Sequence, residues 1–114
     1  MKKLLVLILN KTEALEDILA ELANSDIKGA TIISSTGMAR ALSSSQYENM
    51  SFLASLRAVL DTDRKESKTV LMVIDENMLK TAVDAIENVI GDLSSPDTGV
   101  VFSLPVDFTK GITF

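Results

Sequence analysis

Few residues in this chain have the type and spacing for chemistry. Arg40 closes the run Gly37-Met38-Ala39-Arg40, and a guanidinium with a planar fork of donors at the end of a strand is suited to clamping an anion. A solvated loop arginine is the other reading of the same residue. Ser34-Ser35-Thr36 and Ser43-Ser44-Ser45 offer hydroxyls, but a hydroxyl nucleophile needs an adjacent base. The chain has no histidine and no cysteine. That removes the usual ligands of zinc and copper and the base of a Ser-His-Asp arrangement, leaving only a lysine, which no motif places beside a serine. Asp61-Thr62-Asp63 lacks the downstream glycine and bidentate glutamate of a calcium loop and reads as a solvated turn. What remains is binding chemistry, so the chain reads as no enzyme, with no metal and no required cofactor.

The elements that must position these residues fit one domain over residues 1–114. The chain has 114 residues, of which 46% are hydrophobic, enough for a single core. A net charge of −5 and a pI near 4.6 argue against a nucleic-acid partner, because phosphate backbones are gripped by clustered Lys and Arg. The apolar run Leu4 to Leu9 is shorter than a signal peptide's and stops at Asn10 and the acidic Glu13 to Asp17. No run approaches bilayer length. A cytoplasmic protein without membrane insertion is expected.

Residues 2–9 read as a buried strand, covered on one or both faces. Leu15, Ile18, Leu19 and Leu22 recur at helical spacing behind Glu13, Glu16 and Asp17, with Asn10 or Thr12 as candidate caps. After a turn at Lys28-Gly29, Ala30 to Ser35 reads as a second strand. The order then repeats. Thr69 to Ile74 forms a strand, and Leu79 to Ile90 a helix that Asp75 or Asn77 caps and Gly91 ends. Gly99 to Leu104 forms the last strand, closed by Pro105. The fold class implied is α+β, a ferredoxin-like βαββαβ sandwich with a four-stranded antiparallel sheet and two helices on one face. Strands 1 and 3 are expected to be central and parallel to each other. Residues 37–66 are too long for a plain connector. Phe52, Leu53, Leu56, Val59 and Leu60 predict a short helix near Asn49 to Leu60, then a charged turn from Asp61 to Glu66.

Two stretches resemble the PII signalling family. Ile27-Lys28-Gly29-Ala30-Thr31-Ile32 followed by Gly37-Met38-Ala39-Arg40 is similar to the family's Ile-x-Gly-Met-Thr-Val and Gly-Phe-Gly-Arg at the base of its long T-loop. Gly99-Val100-Val101-Phe102-Ser103-Leu104-Pro105-Val106 is similar to its last strand, Gly-Lys-Ile-Phe-Val-Leu-Pro-Val. The order and separation of these landmarks match across the chain outside residues 41–66.

The resemblance implies a homotrimeric regulatory protein that takes a small-molecule effector in inter-subunit clefts. It would act through the T-loop-like insertion 37–66 on a protein target, such as a transporter or metabolic enzyme. Carried over, the base-binding part of the cleft comprises Leu7, Gly29, Thr31 and Ile74. Gly37, Met38, Ala39 and Arg40 face the phosphates, and Gly99 closes the site from the neighbouring subunit. The phosphate side departs from the pattern. The loop before the last strand reads Ser94-Ser95-Pro96-Asp97-Thr98-Gly99-Val100, with an aspartate and no lysine, and Lys110 is the only cation after Phe108. An adenine mono- or diphosphate is therefore expected ahead of ATP. A PII-fold interaction or assembly module without nucleotide binding is the alternative.

Overall fold

The computed structural model describes residues 1–38, 41 and 66–112. The helix expected at 49–60 and the charged turn after it lie outside the described residues, apart from Glu66. The elements are β1 (Lys2–Leu9), α1 (Leu15–Asn24), β2 (Thr31–Ser35), β3 (Ser67–Asp75), α2 (Leu79–Ile90) and β4 (Gly99–Val106). They form a four-stranded sheet in the order β2-β3-β1-β4. This is the ferredoxin-like arrangement expected from the duplicated pattern. One relation differs. β1 and β3 are central but antiparallel, as are the other two pairs. β2 and β3 follow one another as an antiparallel pair, so β3 runs opposite to both β2 and β1.

The register assigns faces. Cross-strand partners share a face, so Leu5, Leu7 and Leu9 lie with Met72, Val70 and Lys68. The apolar ones among them meet Ile18 and Leu22 of α1 and Ala82, Ala85 and Ile86 of α2 in a single buried cluster that Ile27 and Ile74 complete. On the opposite face no helix of the described residues lies over Leu4, Val6 and Ile8. Leu71 and Val73 of β3 flank them on one side and Val100, Phe102 and Leu104 of β4 on the other. Phe102 and Leu104 remain 44% and 48% exposed. β1 thus sends apolar side chains to both faces, and among the described residues helices cover only one.

The ends of the helices differ from the sequence reading. α1 and α2 are each preceded by a 3-10 turn, Thr12–Ala14 and Glu76–Met78, and the residues at the N-cap positions of those turns, Lys11 and Asp75, make no side-chain cap hydrogen bond. Asp75 instead pairs with Lys2 at 3.0 Å. The C-terminus of α1 follows the Schellman pattern: Asp26 N–H donates to Ala23 O, Ile27 N–H donates to Leu22 O at 2.9 Å, and Asp26 takes φ +69°. Gly91 ends α2 with φ +79°, as expected. Pro105 sits inside β4 rather than ending it. β4 is an edge strand, where a residue without an N–H need not break the ladder.

Candidate functional site

β3 outruns its neighbour. β2 pairs with Ser67 to Leu71 only, while β3 continues to Asp75. The turn at 26–30 fills part of the space alongside, and the rest is a cavity of about 330 Å³ lined by Lys2, Asp26, Ile27, Lys28, Gly29, Val73, Ile74, Asp75 and Met78. A second, wider groove of about 470 Å³ lies on the open face. Its floor is Leu4, Leu71 and Val73, and its banks are 28–31 and Ile112. Both volumes are in the range of small-ligand sites. Lys28, Gly29 and Val73 line both, so the cavities adjoin around the turn.

Gly29 and Ile74 share the first cavity, and Gly29 and Thr31 share the second. Leu7 does not reach either. It is 0% exposed and faces the helices beside Val70, so it is a core residue. Gly37 and Met38 follow the far end of β2. At ~3.3 Å per residue, roughly 13 Å of strand separates that end from Thr31. Ala41 N–H donates to Gly37 O at 3.0 Å, and Gly37 has neither a positive φ nor a close neighbour that would demand glycine. Ala39 and Arg40 lie outside the described residues. Gly99 pairs with Leu9 on the edge opposite β2, some ~14 Å across three strand spacings. Its glycine has a packing cause: an added Cβ would stand 2.8 Å from Ile8 O. Within one subunit Gly29 thus adjoins Ile74 in the first cavity and Thr31 in the second, on opposite faces of the sheet, while Gly37, Met38 and Gly99 stand apart from them.

The loop at 91–98 holds its donors on its own carboxylates. Leu93 N–H donates to Glu87 Oε2 at 3.0 Å, Ser94 N–H to Asp92 Oδ1 at 2.9 Å and Ser94 Oγ to the same oxygen at 2.7 Å. Ser95 N–H donates to Asp92 O. The two bonds from Ser94, backbone first and hydroxyl second, hold the Asp92 carboxyl below its ordinary pKa. The Leu93, Ser94 and Ser95 amides are thus already occupied. The Asp-x-Ser spacing was a readable signal for this turn.

At the base of the insertion, Ser35 Oγ lies 2.8 Å from both Ser67 Oγ and Thr69 Oγ1, and Ser67 Oγ donates to Ser35 O at 3.2 Å. Lys68 Nζ donates to Ser34 Oγ at 2.8 Å. These hydroxyls and the lysine tie the strands together where the insertion leaves and rejoins the sheet. Among the described residues no cluster of acidic side chains has the makings of a metal site, and no helix is long and apolar enough to cross a membrane.

This arrangement, with a two-helix layer on one face, an open opposite face and a cleft at the turn before β2, is the fold of PII proteins. A crystal structure of Arabidopsis thaliana PII bound to citrate superposes with a TM-score of 0.60 at 14% identity, covering 92% of this chain and 74% of that one. A functionally unknown protein from Pediococcus pentosaceus ATCC 25745 superposes with a TM-score of 0.62 at 15% identity, covering 97% of each chain. No family model matches the sequence, and no curated protein matches it.

Proposed function

We propose that the chain is a PII-like regulatory protein rather than an enzyme. It assembles as a homotrimer in the cytoplasm, binds a small ligand in clefts between subunits, and acts on a protein target through residues 37–66. The observation that supports this reading is the pair of adjoining cavities around Gly29, one lined by Ile74 and the other by Thr31, residues that the PII resemblance assigns to the base-binding part of the cleft. The open sheet face supports assembly, since Val100, Phe102 and Leu104 form an exposed apolar row of the kind that a partner subunit buries. The separation of Gly99 from Gly29 within one chain agrees with a site completed by a neighbour. Arg40 remains the proposed anion contact of the insertion.

A ligand with one phosphate or none suits the 91–98 loop better than a triphosphate, because Glu87 and Asp92 occupy its amides. The same observation favours the second reading, an assembly module on the PII fold without nucleotide. Molar mass by light scattering, combined with melting curves in AMP, ADP and ATP, tests both. A trimer whose melting temperature rises with AMP supports the first reading. A trimer indifferent to every nucleotide supports the second, and a monomer overturns both.

A further inference from the structure

The two adjoining cavities differ in character, and the difference specifies a ligand. The cavity beside β3 carries two lysines and two aspartates, paired as Lys2 with Asp75 at 3.0 Å and Lys28 with Asp26 at 3.6 Å. These charges sum to zero, so the lining has no excess cation for a polyanion. The groove on the open face is apolar, floored by Leu4, Leu71 and Val73 and closed on one bank by Ile112 of the segment after β4. Lys28 is the one charged side chain that lines both. It is also the looser of the two lysines: its side chain is 68% exposed and its aspartate 86%, against 39% and 57% for Lys2 and Asp75. An ion pair that exposed is held weakly in water and exchanges partners readily.

We propose that this cleft takes a monoanionic ligand with an apolar body, the anionic head on Lys28 Nζ and the body along the groove beneath Ile112. The proposal deepens the ligand-binding reading above and rests on its placement of the site at Gly29. A single head group asks only Lys28 to leave Asp26. An apolar body buried against Leu4, Leu71, Val73 and Ile112 removes side chains from water that the isolated chain leaves partly exposed. A cationic head lying in the groove would meet the Lys28 ammonium, because Asp26 lines only the adjoining cavity. A polyphosphate would need donors that the cleft has already paired.

The test follows methyl signals of the full chain by NMR during titration with octanoate, octanol and octylamine, which share a body and differ in head charge. Octanoate is expected to shift Leu4, Leu71, Val73 and Ile112 saturably, with octanol about fivefold weaker and octylamine weaker again. Lys28→Ala should abolish the preference for octanoate over octanol while leaving octanol binding in place. Ile112→Ala should weaken all three. The proposal is overturned if octylamine equals octanoate, if Lys28→Ala keeps the preference, if no methyl shifts, or if the shifts centre on Val100 and Leu104 instead of the groove. Parallel AMP titrations with mass measurements separate the two readings. A trimer that binds AMP at Ile74 and ignores octanoate keeps the regulatory reading and refutes this one, whereas octanoate binding by a monomer does the reverse.

Discussion

The two ends of the sheet handle polar groups in opposite ways. At the Gly29 end, β3 extends past β2 and leaves a cavity whose ion pairs lie on an exposed rim. At the Gly99 end, strand packing is tight enough to forbid a Cβ, and the preceding loop folds its amides onto Glu87 and Asp92. A ligand can be accommodated at the first end without breaking existing bonds, apart from a loose ion pair. At the second, an anion would have to displace the chain's own carboxylates. The difference teaches that similarity to a binding motif and capacity to bind separate once the hydrogen bonds are assigned.

The largest expected effect tests where the core ends and the cleft begins. Leu7→Ala should lower stability by about 2–5 kcal/mol in urea unfolding, because the side chain is fully enclosed between sheet and helices. Its ligand affinity should stay unchanged under conditions where the variant is folded. A selective loss of affinity without destabilisation would return Leu7 to the cleft. Gly99→Ala comes next, at about 1–3 kcal/mol, since the added methyl meets backbone at Ile8 O and backbone cannot swing aside. Stability equal to the parent chain would show the strands free to part at that end.

The smallest effect is electrostatic. The Asp92 carboxyl has a lower pKa folded than unfolded, so its contribution to stability is present above the unfolded value and fades as pH falls through the folded one. The group is fully solvated and the contribution is small. An NMR titration should place the Asp92 midpoint below that of an ordinary aspartate, and Ser94→Ala, which removes the hydroxyl bond alone, should move it part of the way back. A midpoint at the ordinary value would mean that the loop amides are not held by Asp92, and the contrast between the two ends would weaken.

Much of the fold was legible because its periodicity is strong. The helical stripe of Leu15 to Leu22 and the β-branched runs gave element order and class, and Gly91 marked its helix end. The orientation of Leu7 was not legible. KKLLVLIL is apolar at successive positions, so alternation could not say which residues face the helices, and only the register with Met72 and Val70 decides it. The Asp75 cap failed for a related reason: its carboxylate pairs with Lys2, which strand pairing brings to it from the far end of the sequence. Gly29, Thr31 and Ile74 were named through family resemblance, and the place of Gly29 beside Ile74 depends on β3 outrunning β2, a length mismatch the sequence does not announce. Lys2, Asp26, Ile27, Lys28, Val73, Asp75 and Met78, which complete the cavity, were not assigned to the site from the sequence.

The central claim is a small-ligand cleft at Gly29 without a working phosphate cradle. Calorimetric titration of the assembled protein with AMP and ATP, with the Ile74 methyl followed by NMR in the same samples, tests it most directly. The account predicts that both shift Ile74 and that ATP binds no tighter than AMP. ATP binding tenfold or more tighter than AMP would contradict it, as would nucleotide binding that leaves Ile74 untouched.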